Sequence, residues 1–371
     1  MSAEPADQRA TARLRAVYEQ AGAQWVELPV LHPADPFLET AGEDIRRRMF
    51  VTEGRRGERL ALRPDFTIPV CLEHLKSGAG SARYAYQGLV FRRHDSGAPE
   101  RLETGYEDIG REDRIAADAE TLALAVGAGA ALASGPLQVR LGDIGLFVAL
   151  LSALGLPETW RRRLRRSFGV PQLMAANLDR LSRPRGPDDV RLDPEIHAAA
   201  ERHDRESLVE LLADRFTAHG HTAGLGRTAE EIANRFLDQR ELAEARIAPS
   251  ALRAMRSFLD VRSDLADAPA ALRRFTGECG VDLDDALQPF EGRAAAIARL
   301  APAAAVRFEA GFGRSLDYYT GLVFEVGAEG VPFPIAGGGR YDRLIQMLGG
   351  PAVPAVGFTI RLDMVAAEAA L

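Results

Sequence analysis

The sequence predicts an α+β fold, in which an antiparallel sheet flanked by helices is interrupted by a long helical segment. Helices and strands alternate over residues 1–145 and 301–371, where runs of β-branched and aromatic residues lie between turn signals. Between residues 146 and 300 helical patterns rich in Ala, Leu and Arg follow one another, with Gly and Pro at the breaks. We therefore expect a core domain made from residues 1–145 and 301–371, and an inserted helical domain, residues 146–300.

The core begins with two units in which a helix and a strand are neighbours. Residues 7–21 repeat apolar side chains at helical spacing, and WVELPVL, residues 25–31, is typical of a short strand broken by a proline. Residues 60–75 run from a strand into a helix, for which Asp65 or Thr67 is the expected cap.

The remaining core elements are mostly strands. Before the insertion we expect an antiparallel hairpin at 83–95 and 101–110, an Ala-rich helix at 118–134 and a strand at 137–143. After the insertion, strands are expected in residues 305–313, 322–327, 335–344 and 355–369, the last two leading into helices.

Composition narrows the class of protein. The 371 residues are 46% hydrophobic and 27% charged, which suits a globular protein of about two domains. No apolar run approaches the roughly 20 residues that span a bilayer, and the first thirty residues lack the apolar core of a signal peptide, so we expect a cytoplasmic protein. Cys71 and Cys279 are far apart in sequence, which predicts reduced thiols. The net charge of −7 argues against a nucleic-acid partner.

Polar side chains gather at strand ends in four separate stretches. They are Arg63, Asp65 and Thr67; Arg92, Glu103 and Glu107; Arg314, Asp317 and Tyr319; and Arg340 and Tyr341. Acids can hold an ammonium group, arginines can grip a carboxylate, and a phenol beside a carboxylate suits a polar ring. This set of groups fits a small zwitterion with a polar ring, such as histidine.

Each feature also has a simpler structural explanation. Arg314 and Asp317 alone would be a structural ion pair, and Gly337–Gly339 alone would be a turn. The arginine-rich run at 160–168 is by default a solvated helix face, and the pair His219 and His221 suits a surface loop better than a metal site. His94 has no assigned role.

Four of these stretches together resemble the histidyl-tRNA synthetase group of class II aminoacyl-tRNA synthetases. LALRPDFT, GLVFRRHD, RSLDYYTGLVFE and AGGGRYD are similar to motifs of that group, in the same order. The likeness covers about residues 10–145 and 305–371 and implies a class II synthetase-like sheet. WVELPVL is similar to motif 1, a dimer element, so the resemblance also implies a homodimer.

The resemblance implies roles for eight residues. The α-ammonium of a bound histidine would face Asp65, Thr67 and Glu103, its carboxylate Arg92 and Arg314, and its imidazole Glu107 and Tyr319, with Tyr341 lining the pocket. Two of them depart from the family pattern, because Glu103 stands where Gln is usual and Asp65 where Glu is usual. The ammonium end of the pocket is therefore more acidic.

Other departures affect the chemistry of a synthetase. Met364 stands where the family has the motif 3 arginine that grips ATP phosphates, and His94 replaces a motif 2 acid. Only seven residues follow Met364, so we expect no anticodon-binding domain. Adenylation and tRNA selection are both expected to be lost.

Among proteins of this group, the resemblance is closest to regulatory subunits of ATP phosphoribosyltransferase. It implies a subunit without catalytic residues, metal or cofactor, which assembles with a short catalytic subunit and conveys histidine feedback in the first step of histidine biosynthesis. Two alternatives stay open from the sequence: a truncated amino-acid-activating enzyme and a tRNA-binding module.

Overall fold

The computed structural model describes residues 6–40, 42–93, 98–133, 135–183, 194–218, 228–244, 247–301, 304–314, 316, 318–329, 331 and 333–362. His94, Asp317, Met364 and the pair His219 and His221 lie outside these residues. Contacts divide the chain into two compact units, one of Met1–Ala153, Phe168–Val170 and Met255–Leu371, the other of Leu154–Ser167 and Pro171–Ala254. The insertion boundaries predicted at 146 and 300 stay a prediction.

Twelve strands form two sheets in the described chain. They are β1 (Gln24–Trp25), β2 (Leu31–Pro33), β3 (Phe50–Glu53), β4 (Arg59–Leu62), β5 (Ala82–Phe91), β6 (Glu100–Ile109), β7 (Leu137–Asp143), β8 (Arg262–Asp264), β9 (Ala304–Glu309), β10 (Leu322–Ala328), β11 (Ala336–Arg340) and β12 (Ala355–Arg361). The large sheet has the order β1-β5-β6-β12-β11-β10-β7-β9-β8, and the small one β2-β4-β3.

The large sheet contains strands from both ends of the chain, as expected, and its centre from β5 to β7 is antiparallel. Two pairs depart from the antiparallel arrangement, because β1 with β5 and β7 with β9 are parallel. The described residues between β7 and β9 are mainly helical, and parallel neighbours need a long crossover of this kind. The sheet is therefore mixed.

Fifteen helices lie in the described residues. They are α1 (Ala6–Gln20), α2 (Asp35–Thr40), α3 (Gly42–Arg48), α4 (Thr67–Ser77), α5 (Arg114–Ala130), α6 (Ile144–Ala153), α7 (Glu158–Ser167), α8 (Pro171–Ser182), α9 (Pro194–Glu201), α10 (Arg205–Ala218), α11 (Ala229–Glu244), α12 (Pro249–Leu259), α13 (Ala268–Cys279), α14 (Asp284–Leu300) and α15 (Leu344–Met347). None of the described helices is long and apolar enough to cross a membrane.

Some local expectations were wrong. Residues 26–30 form no strand, and β8 is a short strand inside the segment expected to be helical. By contrast, Gly337–Gly339 lie in β11, within the strand expected at 335–344. The N-cap of α4 is Phe66, although the Asp65 carboxylate accepts a hydrogen bond from the backbone N–H of Ile68 at 3.1 Å.

The register of the large sheet lines up residues that are distant in sequence. Glu107 on β6 lies opposite Gly357 on β12, which lies opposite Gly339 on β11. In the next row, Gly105 on β6 lies opposite Thr359 on β12, and Thr359 lies opposite Gly337 on β11. Gly337 in turn lies opposite Glu325 on β10. Because alternate residues of a strand share a face, these two rows lie on one face of the sheet.

A buried network of charges joins α5 and α14 to the sheet. Arg340 on β11 donates to Asp118 on α5 at 2.8 Å, and to Asp342 at 2.6 Å. Arg293 on α14 contacts the same Asp118 and also Asp143 at the end of β7. The Asp118 side chain is 0% exposed and that of Arg340 is 4% exposed. Each buried charge is therefore neutralised by a partner, as burial requires.

We predict that Arg340→Ala lowers the free energy of unfolding by about 3 to 5 kcal/mol, because it leaves the buried Asp118 carboxylate with one cation fewer. The control is Arg59→Ala, which removes an ion pair with Asp35 whose side chains are 65% and 59% exposed. The free energy of unfolding of Arg59→Ala should fall by less than about 1 kcal/mol. Urea unfolding of both variants measures the difference, and equal losses would contradict a structural role for the network.

Candidate functional site

The candidate pocket lies on the face of the large sheet that α4 covers. It takes side chains from β5, β6 and β10, from the start of α4 and from the segments beside β10 and β11. Tyr84, Tyr86, Tyr318, Tyr319 and Tyr341 belong to one buried cluster there. The sequence predicted that these distant stretches meet, and the register of the sheet is what brings them together.

Glu107 forms one end of the pocket and is 1% exposed. Its Oε1 accepts hydrogen bonds from Thr67 Oγ1 at 2.8 Å and from the Tyr86 hydroxyl at 3.3 Å. Its Oε2 accepts from the Tyr341 hydroxyl. Burial raises the pKa of Glu107 to about 7, and the hydrogen bonds from Tyr341, Thr67 and Tyr86 limit that rise. A carboxylate held only by hydroxyls keeps its negative charge available to a cationic ligand.

The glycine opposite Glu107 makes this position possible. A Cβ atom at Gly357 would overlap Glu107 Oε2, so any larger residue there would displace the carboxylate. Gly357 lies on β12, and the sequence analysis assigned it no role. Its role is to leave space on β12 for the side chain from β6.

The predicted ammonium end of the pocket contains three polar groups. Asp65 is 5% exposed, and its Oδ2 atom has no hydrogen-bond partner among the described residues. Burial raises the pKa of Asp65, and Arg92 opposes the rise. Glu103 Oε1 lies 3.9 Å from Arg92 Nη2, and burial likewise raises the pKa of Glu103. Arg92 itself donates to the backbone carbonyl of Pro64 at 2.6 Å. Asp65 is thus the acid with an unused acceptor.

The predicted carboxylate end is built around Arg314. Its Nη1 atom donates to Glu325 Oε1 on β10 at 2.8 Å. Tyr319 is buried beside it, and the ring centroids of Tyr318 and Tyr319 are 5.1 Å apart. Burial raises the pKa of Tyr319, Arg314 opposes the rise and Glu107 adds to it, so charges at both ends of the pocket act on this phenol.

The structure joins Thr67 and Tyr341 directly to Glu107. It places Arg92 beside Glu103, an acid assigned to the ammonium group, whereas the resemblance assigns Arg92 to the ligand carboxylate. It places Arg340 elsewhere, since this side chain joins the buried charge network with α5. Adjacent residues of a strand point to opposite faces, which separates Arg340 from the pocket.

Three pocket residues were missed by the sequence analysis. Tyr86 bonds both Glu107 and Thr359, Tyr318 packs against Tyr319 and Tyr341, and Glu325 binds Arg314. The alternation of β5 could have shown Tyr86, because it shares a sheet face with Glu107 on the neighbouring strand β6.

The arginine-rich helix α7 carries internal partners rather than an open basic surface. Arg161 pairs with Glu158 at 2.6 Å and Arg162 with Asp238 at 3.0 Å. Arg163 donates to Asn177 at 2.6 Å. These contacts favour the solvated, paired helix face over a nucleic-acid surface. No cluster of three or more His, Cys, Asp and Glu side chains in the described part of the chain is placed to hold a metal.

We predict that Glu107→Gln changes how stability depends on pH. The pKa of Glu107 in the folded state, about 7, lies above the ordinary glutamate value of 4.5, so the proton bound by Glu107 stabilises the folded state at low pH. That contribution is lost as pH rises toward 7 and above. Glutamine does not titrate, so the variant should gain about 2 kcal/mol relative to the parent between pH 5 and pH 7.5.

Urea unfolding of both proteins at the two pH values measures this change. Glu291→Gln is the matched control, because Glu291 is paired with Arg273 and its pKa is lowered by that hydrogen bond. Its stability relative to the parent should not rise over the same pH interval. A Glu107→Gln difference that stays constant with pH would show that the carboxyl group is already ionised at pH 5.

Comparisons with known proteins agree with the fold. The profile of the family described as Histidyl-tRNA synthetase matches residues 3–185 and 191–365. The solved structure of an ATP phosphoribosyltransferase regulatory subunit/histidyl-tRNA synthetase from Bacillus halodurans superimposes with a TM-score of 0.69 at 21% identity, covering 97% of this chain and 78% of that one. A histidine–tRNA ligase subunit from Alicyclobacillus acidocaldarius has a TM-score of 0.57 at 26% identity, with 100% and 96% coverage. The class II synthetase-like fold is confirmed.

Closer relatives share one name. The ATP phosphoribosyltransferase regulatory subunit of Chelativorans sp. (strain BNC1) is 44% identical over 344 residues, which is 92% of each chain. The protein of that name from Rhizobium meliloti (strain 1021) is 45% identical over 357 residues, 95% of this chain and 94% of the relative. These names confirm the predicted regulatory function and do not favour the activating enzyme or the tRNA-binding module. The chain therefore belongs to the histidyl-tRNA synthetase family and, within it, to the ATP phosphoribosyltransferase regulatory subunits.

Proposed function

We propose that this regulatory subunit binds histidine in the Glu107 pocket and conveys its presence to a short catalytic ATP phosphoribosyltransferase subunit in the cytoplasm. Its part in the first step of histidine biosynthesis is then to sense the end product. The names of the relatives support the catalytic partner, and the pocket supports the ligand. The subunit itself performs no chemistry in this proposal.

The observation that carries histidine as the ligand is the hydroxyl-bound carboxylate of Glu107 at one end of a pocket with two further polar ends. Asp65 offers an unused buried oxygen for an α-ammonium group, and Arg314 offers a guanidinium for a carboxylate. Glu107 and Tyr319 are then available to the two ring nitrogens of an imidazole. A ligand with three such groups can satisfy all of these residues at once.

We also propose a homodimer, based on the segment that resembles motif 1. Val30 and Leu31 are 41% and 47% exposed, and Leu89 is 39% exposed. Arg63 holds these parts together, since it donates to the carbonyls of Leu28 and Leu89. Exposed apolar side chains on a fixed backbone suit a second copy of the chain. A strictly monomeric mass at micromolar concentration would count against this.

We predict that Glu107→Gln and Tyr319→Phe each weaken histidine binding by about 1 to 3 kcal/mol, the usual loss when a buried hydrogen bond to a charged group is not made. Arg314→Ala should weaken binding from the other end of the ligand. Isothermal titration at pH 8, where Glu107 is mostly ionised, measures this for the full chain alone and with the catalytic subunit. The assembled variants should also resist inhibition by histidine.

The control is Arg162→Ala on α7, which should leave histidine affinity unchanged because its partner is Asp238. If all three pocket variants bind and respond like the parent, the regulatory site lies elsewhere. Incubation with histidine and ATP separates sensing from activation of an amino acid, since formation of histidyl-adenylate would contradict the non-catalytic role.

A further inference from the structure

The guanidinium that should hold the ligand carboxylate already has a carboxylate partner. Arg314 Nη1 donates to Glu325 Oε1 at 2.8 Å, and both side chains are 24% exposed. Gly337 on β11 lies opposite Glu325 in the register of the sheet. A Cβ atom at Gly337 would overlap Arg314 Nη1, so the guanidinium lies directly on the backbone of β11, beside β10.

This contact limits how a ligand can use Arg314. The Nε atom of Arg314 is buried, and in the described part of the chain no acceptor lies within hydrogen-bond distance. A carboxylate that grips a guanidinium needs two adjacent N–H groups on one side. Because Nη1 already donates to Glu325, a ligand carboxylate on the same guanidinium would lie beside a second negative charge, which favours displacement of Glu325.

A second cation lies on the strand next to Glu325. Arg140 on β7 is directly opposite Glu325 in the register of β7 and β10. Arg140 already binds Glu309 on β9, with Nε to Oε1 at 3.1 Å and Nη2 to Oε2 at 2.8 Å, and its guanidinium lies 4.5 Å from the centre of the Phe312 ring. Charges therefore alternate across three strands in the order Arg314, Glu325, Arg140, Glu309.

We propose that Glu325 is an internal competitor for the ligand carboxylate. When an α-amino acid binds, its carboxylate takes Nη1 of Arg314, and Glu325 turns to Arg140. The affinity of the pocket for a carboxylate thus depends on a difference in free energy. One state pairs Arg314 with the ligand carboxylate, and the other pairs Arg314 with Glu325. This inference rests on the proposed function, because it assumes that histidine occupies the Glu107 pocket.

The competing explanation makes Glu325 a positioning residue that holds Arg314 for the ligand. The two explanations predict opposite signs when Glu325 loses its charge. A competitor that loses its charge releases Arg314 and strengthens carboxylate binding, whereas a positioning residue that loses its charge weakens it. The ratio of the dissociation constants of histamine and histidine isolates this effect, since histamine is histidine without the carboxylate.

The experiment is isothermal titration of L-histidine and of histamine at pH 8 into the full chain, alone and with the catalytic subunit. Glu325→Gln should raise the histamine-to-histidine ratio by about two- to tenfold, the range for a partly exposed ion pair. Arg140→Met should lower the ratio, because the displaced Glu325 then has no second cation. Arg314→Ala should bring the ratio close to one.

Two further variants keep the test decisive. Glu291→Gln removes a comparable ion pair with Arg273, in which Glu291 is 29% exposed, and should leave the ratio unchanged. Glu325→Asp keeps the charge but shortens the reach to Nη1, and should raise the ratio by less than Glu325→Gln. An unchanged affinity for histamine in the Glu325 variants shows that the pocket is intact.

The failures of the two proposals can be distinguished. If the parent binds histidine but Glu325→Gln lowers the ratio or leaves it unchanged, competition is wrong and the proposed function stands. If the parent binds neither ligand, alone or with the catalytic subunit, the proposed function is wrong. The proposal that Glu325 competes with the ligand carboxylate is then wrong as well.

Discussion

The arrangement of this pocket depends on one buried carboxylate that hydroxyl groups hold, with no cation bonded to it in the described chain. Burying such a group is costly, and Glu107 offsets part of the cost with three donors that come from α4, β5 and the residue after β11. Each donor needs its own element in place, and the carboxylate needs Gly357 on the neighbouring strand. The need to satisfy one side chain therefore brings α4, β5, β6 and the residue after β11 together.

On the opposite face of the sheet, buried carboxylates are stabilised by arginines instead of hydroxyl groups. There Asp118 and Asp143 are neutralised by Arg340 and Arg293, so the charges balance without a ligand. Arg340 and Tyr341 are adjacent in sequence but serve these two faces separately. The motif AGGGRYD thus combines a structural arginine with a pocket tyrosine, and its glycines leave space for side chains of other strands.

Much of this could be predicted from the sequence where a local pattern decides the structure. The hairpin of β5 and β6, the strand β7 and the helix α1 follow from alternation and helical spacing, and the motifs located Glu107, Asp65 and Arg314. The rest depends on tertiary context. A one-residue alternation decides whether Arg340 faces the pocket. The contact of Glu325 with Arg314 depends on β11 lying beside β10, with Arg314 packed on Gly337, and the parallel pair of β7 and β9 depends on a long crossover. None of these can be read from a single stretch.

The charge balance of the pocket suits a sensor. A ligand shifts an equilibrium between two states only by the difference in its affinity for them, so a sensor needs groups whose energy differs between the empty and occupied pocket. Asp65 and Glu107 are such groups, because burial raises the pKa of both and a cationic ligand would reverse that effect. At Arg314 one carboxylate would replace another, and Arg92 already lies beside an acid, so the charge around these arginines changes less on binding. The free energy available for regulation therefore lies mainly at the acidic ends of the pocket, where the ammonium and the ring of a histidine would bind.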